Sequence, residues 1–395
     1  MMAEKDFRVE GFKGSAVVAG IKKGEVPDLA LIFSESAAVA SGVFTTNKVK
    51  AAPVILSREN IKNGRVRAIV VNSGNANACT GDEGLRNARL TAEVTARNLG
   101  IKPAEVLVAS TGVIGAQLDM NSITPVIPEL TKRLSSDGLP RVAEAIMTTD
   151  SFPKISRFEG KANGRSFQIL GIAKGAGMMM PNMATMLCFV LTDLSVDALN
   201  LSNAVSQAVD VSFNRISVDG DTSTNDTVIV LANGREEAQP SGVLEVFHWG
   251  LTAVMKELAA MIVKDGEGAT KLVRVEVKGA YSPGDALTAA RTVANSSLVK
   301  TAFYGQDPNW GRIMAALGRS DIQMREDKTS IWVDGIKIVE GGLGTGVEHE
   351  KKAAEKMKNK EFTLTIDLQQ GASEDVILTC DLTHEYVSIN ADYRT

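Results

Sequence analysis

A chain of 395 residues is too long for one ordinary hydrophobic core, so two or three packed units are expected. Hydrophobic residues make up 44% and charged residues 23%, the balance of a soluble globular protein. The net charge of -4 is spread along the chain with no basic block, which argues against nucleic acid or an anionic membrane surface as the main partner.

Helical and strand patterns alternate throughout, which places the chain in the α/β or α+β class. The first ten residues lack the apolar stretch of a secretory signal, and no apolar run reads as a bilayer span. Cys79, Cys188 and Cys380 are far apart and never in a CxxC pair, so no disulfide framework follows and a reducing cytoplasm is the expected setting. Leu29–Phe33 and Ala68–Val71 read as buried strands. Residues 83–99 form an amphipathic helix with Leu85, Ala88, Ala92, Ala96 and Leu99 on one face, ended by Gly100. Val106–Ala109 is a further strand, followed by a turn at Ser110-Thr111-Gly112, and a loop-rich helical stretch covers 124–147.

Residues 166–172 read as a strand and the glycine-rich segment after Lys174 as irregular backbone. Thr185 then opens the apolar run Met186–Leu191, a strand covered on both faces. Helices are expected at 196–211 and 242–263, the second apolar nearly all round and deeply buried. Beyond about Gly279, short strands at 330–333, 362–368 and 376–382 surround a charged helix near 348–357. The expected division is therefore a core over 1–279 and a smaller α+β unit over 280–395.

Familiar catalytic patterns are missing. His248, His349 and His384 sit in no HExxH or metal-spaced array, so no metal site is expected. No GxSxG elbow and no phosphate-binding glycine loop is present, and Asp219-Gly220-Asp221 with Asn225 and Asp226 lacks the position-12 glutamate of a calcium loop. It reads instead as a polar loop near a site. A histidine-poor enzyme can activate a hydroxyl with the α-amine of an N-terminal threonine, whose ordinary pKa is about 7.7–8.0. Thr185 is internal, so the Ala184–Thr185 bond must break first.

The segment Lys174-Gly-Ala-Gly-Met-Met-Met-Pro-Asn-Met-Ala-Thr185-Met-Leu resembles the processing site of the ornithine acetyltransferase, or ArgJ, family. So do Gly42–Asn47, Val71–Ala78, Ser110–Gly115, Met147–Asp150, Asp219–Asp226, Gly266–Lys271, Asp307–Arg312 and Asn390–Thr395, which together span nearly the whole chain. The resemblance implies an αββα sandwich core, related in architecture to N-terminal nucleophile hydrolases, with a smaller α+β unit. It implies self-cleavage into an α chain of residues 1–184 and a β chain from 185, assembled as α2β2. Thr185 is then the nucleophile that takes acetyl from N-acetylornithine, releases ornithine and passes acetyl to glutamate, with no cofactor. Thr111 and Gly112 match the oxyanion-hole pair. Thr148, Lys174, Glu267, Asn390 and Thr395 match the remaining substrate contacts, although Thr149 fits as well as Thr148. Use of acetyl-coenzyme A as a second acetyl donor stays open, because no local motif decides it. Two alternatives remain: a self-processing aminopeptidase or amidase built on the same threonine, and a non-enzymatic small-molecule binding protein.

Overall fold

The computed structural model describes residues 6–162, 164–180, 186–234 and 242–392. Thr185, Ala184 and Thr395, three of the expected site residues, lie outside them. The first part of the chain contains strands β1 (Phe12–Val17), β2 (Leu29–Phe44), β3 (Val66–Asn75), β4 (Val106–Val113), β5 (Lys154–Ala162), β6 (Arg165–Lys174), β7 (Leu187–Thr192), β8 (Ile216–Ser217) and β9 (Thr227–Ala232). Its helices are α1 (Ala52–Asn60), α2 (Gly81–Leu99), α3 (Met120–Ile123), α4 (Ile127–Lys132), α5 (Leu139–Ala145), α6 (Ala198–Asp210) and α7 (Val243–Lys264). One sheet runs β4-β3-β2-β9-β7-β6-β5, with β1 paired to β2.

The 16-residue β2 works twice. Its start, Leu29–Phe33, pairs with β3, and Val39–Phe44 pairs with β9, with a register shift between Phe33 and Ala38. An irregularity of that kind bends a strand, so the sheet divides into two halves. The expected strand ended at Phe33 because Ser34-Glu35-Ser36 interrupts the apolar run at this bend. Ile69, Val71 and Leu107 from one half share a core with Phe189, Leu191 and Ile229 from the other. On the outer face of the first half, Leu31, Val70 and Val108 meet Leu56, Ala88 and Leu130 of α1, α2 and α4. On the outer face of the second, Ile169, Val190 and Val230 meet Val205, Phe247 and Met255 of α6 and α7. The layers are helix, sheet, sheet, helix, the αββα order. All six residues of β7 are buried, odd and even positions feeding different cores, as its unbroken apolar run requires.

The second sheet draws on β10 (Leu272–Ala280), β11 (Ser330–Val333), β12 (Ile336–Glu340), β13 (Leu343–Gly344), β14 (Glu361–Asp367) and β15 (Ser373–Cys380), in the order β13-β12-β11-β14-β10-β15-β8. Helices α8 (Pro283–Ala294), α9 (Ser297–Tyr304), α10 (Trp310–Gly318) and α11 (Val347–Met357) share its core, and α12 (His384–Asp392) ends the described chain. Gly279, the expected boundary, is the penultimate residue of β10. The parallel pairing of β8 with β15 ties the middle of the chain to this sheet.

Three expectations are corrected. Ser110-Thr111-Gly112 is not a turn after the strand but the continuation of β4, paired with β3 through Ser73 and Gly74. Helix α7 is not buried all round: Phe247, Leu251, Met255 and Ile262 face the core, while Trp249 is 65% exposed. By length and composition this helix is apolar enough to cross a membrane, contrary to the sequence expectation, but half of its most apolar window is buried against the protein's own core.

Candidate acyl-transfer site

The cavity is built where strands end. Gly112 has φ +130°, and a Cβ there would lie 2.3 Å from Gly74 C and 2.5 Å from Asn75 N. Two backbones cross at this point, so only glycine fits. The neighbouring backbone is pinned by side chains: Ser110 Oγ donates to Asn72 Oδ1 at 2.5 Å, and Asn225 Nδ2 donates to Ser110 O at 2.8 Å and Ala76 O at 2.6 Å. The Thr111 hydroxyl and the Gly112 N–H are thus carried on a segment that cannot relax easily.

Lys174 closes β6 with its side chain 4% exposed. Its ammonium donates to Thr148 Oγ1 at 2.8 Å and Thr111 Oγ1 at 3.3 Å, and lies 3.8 Å from Asp150. Burial lowers its pKa, opposed mainly by Asp150. Behind it runs a buried chain of alternating charge. Asp150 accepts from Lys154 at 2.7 Å, and Lys154 donates to Asp265 at 2.5 Å. Asp150 also accepts the Gly175 N–H at 2.6 Å and the Thr148 N–H at 3.0 Å. Burial pushes the Asp150 carboxyl up, but Lys174 and Lys154 outweigh it and hold its pKa at about 2.

Glu267, also in the cavity lining, accepts from Asn390 Nδ2 at 2.8 Å. Gly177 makes room for it: a Cβ there would lie 2.4 Å from Glu267 Cδ. Asp219 accepts the N–H groups of Met178 and Met179 at 2.6 Å each, and the Tyr386 hydroxyl at 3.3 Å. Burial and the Asp219 charge push the Tyr386 hydroxyl up, so Tyr386 acts here as a neutral donor.

Thr111, Gly112, Thr148, Thr149, Lys174, Glu267 and Asn390 all line one cavity of about 200 Å³. Every expected site residue within the described chain is therefore brought together. Asp150, Lys154, Asp265, Asp219, Asn225 and Tyr386 were not among them. Asp150, Asp219 and Asn225 stood inside segments already singled out, whereas nothing in the sequence marked Lys154 or Tyr386. Among the described residues no group of three or more His, Cys, Asp or Glu is placed to hold a metal ion.

The cavity lining offers a cation, a carboxylate, a hydroxyl and a backbone N–H. Because Lys174 donates to Thr111 Oγ1, that hydroxyl's own proton is free to point at a developing oxyanion. An αββα sandwich carrying such a cavity defines a protein of the acyl-transferring class.

The chain belongs to the ArgJ family, whose model matches residues 13–395. It is 52% identical over 391 residues to the "Arginine biosynthesis bifunctional protein ArgJ" of Geobacter sulfurreducens, covering 98% of this chain and 100% of that one. It is 48% identical over 397 residues to the "Glutamate N-acetyltransferase" of Methanocaldococcus jannaschii, covering 98% and 97%. Among solved structures, an ornithine acetyltransferase from Mycobacterium tuberculosis complexed with ornithine is 36% identical with a TM-score of 0.40, covering 46% of this chain and 96% of that one.

Proposed function

We propose that this chain is a self-cleaving acetyltransferase of arginine biosynthesis that moves acetyl from N-acetylornithine to glutamate through an acetyl-Thr185 intermediate. The observation that carries this is the convergence of Thr111, Gly112, Thr148, Lys174, Glu267 and Asn390 on one small cavity. The names of the relatives agree with it.

Cleavage before Thr185 yields an α chain of 1–184 and a β chain of 185–395 and frees an α-amine. That amine takes the hydroxyl proton as Thr185 Oγ1 attacks the acetyl carbonyl. Thr111 and Gly112 receive the negative charge on the carbonyl oxygen; losing one such donor typically costs a factor of about 10²–10³. The C–N bond breaks, the amine returns its proton to the departing nitrogen, and ornithine leaves. The glutamate amine then attacks the acetyl ester, its proton passes to the α-amine and on to Thr185 Oγ1, and N-acetylglutamate departs. Lys174 pairs with the substrate carboxylate, Glu267 with the ornithine ammonium, and Thr148, Asn390 and Thr395 complete the contacts. No cofactor is needed, since one residue supplies both nucleophile and base. The word bifunctional in a relative's name fits a second activity, for which acetyl-coenzyme A is the acetyl donor to test. The enzyme works in the cytoplasm as α2β2.

Intact mass measurement of purified protein tests this, with Thr185→Ala as the uncut control. Two chains meeting at Ala184/Thr185, and transfer to glutamate that outruns acetate release, are expected. Active material consisting of whole chains sinks it, and dominant acetate release turns the reaction into an amidase.

A further inference from the structure

The two halves of the acetyl transfer put opposite charges into one cavity: the ornithine side chain ends in an ammonium, that of glutamate in a carboxylate. The described lining has one cation, Lys174, and three carboxylates, Asp219, Asp221 and Glu267. An ammonium is well served there, whereas a carboxylate brought beside Glu267 meets like charge. Glutamate therefore needs a hydrogen-bond donor near Glu267. A fixed cation would fail in that role, because it would repel ornithine. A hydroxyl suits both, since its oxygen accepts from an ammonium and its proton goes to a carboxylate.

We propose that Tyr386 is the specificity-determining residue for the acceptor: its hydroxyl donates to the side-chain carboxylate of glutamate and accepts from the ammonium of ornithine in the other half of the cycle. The assignment rests on the acetyl transfer proposed above. Tyr386 lines the cavity from the first turn of α12 and is half-buried. Its backbone is pressed against the loop that carries Glu267: a Cβ at Gly268, φ +67°, would lie 2.5 Å from Tyr386 N. Thr383 Oγ1 donates to Gly268 O at 2.8 Å and accepts the Tyr386 N–H at 3.3 Å. One turn further along, Asn390 Nδ2 donates to Glu267 Oε2 at 2.8 Å and to Tyr386 O at 3.0 Å. Tyr386 is thus held beside the carboxylate that glutamate has to tolerate.

The hydroxyl can change partners at little cost. Its bond to Asp219 Oδ2 is 3.3 Å, longer than the roughly 2.5–3.0 Å of a good O–H···O bond. Asp219 does not depend on it, since the Met178 and Met179 N–H groups reach the same carboxylate at 2.6 Å each. Two other lining donors are committed: Thr224 Oγ1 donates to Asn225 Oδ1, and Asn225 Nδ2 is shared between Ala76 O and Ser110 O. Burial and the Asp219 and Glu267 charges push the Tyr386 hydroxyl up, so it keeps its proton for donation.

The test reads the two half-reactions apart. Purified wild type and Tyr386→Phe are assayed for exchange of labelled ornithine into N-acetylornithine without glutamate, and of labelled glutamate into N-acetylglutamate without ornithine. Y386F should lower the glutamate exchange relative to the ornithine exchange about ten- to hundredfold, the effect of one hydrogen bond to a charged group. Glu267 still holds the ammonium, whereas the carboxylate has lost its donor. A ratio that is unchanged or moves the other way overturns the proposal, and two rates falling together mark a merely structural role. Should Y386F fail to fold, wild type charged with acetyl is offered 2-aminopentanoate, which carries a methyl where glutamate has its side-chain carboxylate. A clear preference for glutamate supports a donor at that end, and equal acceptance of the two overturns it. Wild type that catalyses neither exchange sinks the acetyl-threonine reading itself, a result distinct from these.

Discussion

Lys174 Nζ donates to Thr148 Oγ1 at 2.8 Å, and this bond separates Thr148 from Thr149, although both line the cavity. A hydrogen bond to a charged group contributes about 1.5–3 kcal/mol, which is roughly 10- to 100-fold in a rate or binding constant. Thr148→Val should lower kcat/KM for acetyl transfer by that factor, and Thr149→Val by less than about threefold. Steady-state kinetics on both variants decides it. Equal losses would mean the bond does not select between the two residues.

Gly177 and Glu267 form a second informative pair. A methyl at position 177 would meet the end of a flexible side chain, not backbone, so the fold can give way cheaply while the carboxylate must move. Gly177→Ala should change the midpoint of urea unfolding little and raise KM for N-acetylornithine about tenfold. An unchanged KM would remove Glu267 from the ammonium subsite.

The chain Lys174–Asp150–Lys154–Asp265 gives stability a defined acid dependence. Asp150 titrates at about 2 in the fold against an ordinary 3.8, so its folded pKa is the depressed one. Its contribution is therefore complete above about pH 4 and disappears as pH falls through about 2. The shift corresponds to about 2 kcal/mol. Urea unfolding over this window should show wild type losing stability that Asp150→Asn has already lost at neutral pH. The variant should also be weaker at neutral pH, because Lys154 and Lys174 keep buried charge without their partner. Parallel curves for the two proteins would exclude Asp150 as the source.

How legible the molecule was follows from the range of each cause. The helix ending at Gly100 was readable because a left-handed cap, φ +66°, is a local demand that glycine meets. The β7 run was readable because burial on both faces leaves an unbroken apolar string. Strand β5 escaped because Lys154 and Ser156 put polar residues at buried positions, whereas β10 escaped although Val273, Val275 and Val277 alternate with Arg274 and Glu276 at the period of a half-buried strand. Nothing beside Lys154 in the sequence marks it as buried, because its partner Asp265 is 111 residues away.

By itself the sequence determined the class, the family and the residue types that carry the chemistry, since motif strings and short periodicities are properties of neighbouring positions. Only the tertiary structure decided that Thr111 and Asn390 share a cavity, that β2 bends to serve two half-sheets, and that one acidic loop holds both flanks of the 181–185 segment. These depend on contacts between residues far apart in the chain, whose free energy comes from burial and charge pairing and leaves no local trace in the order of amino acids.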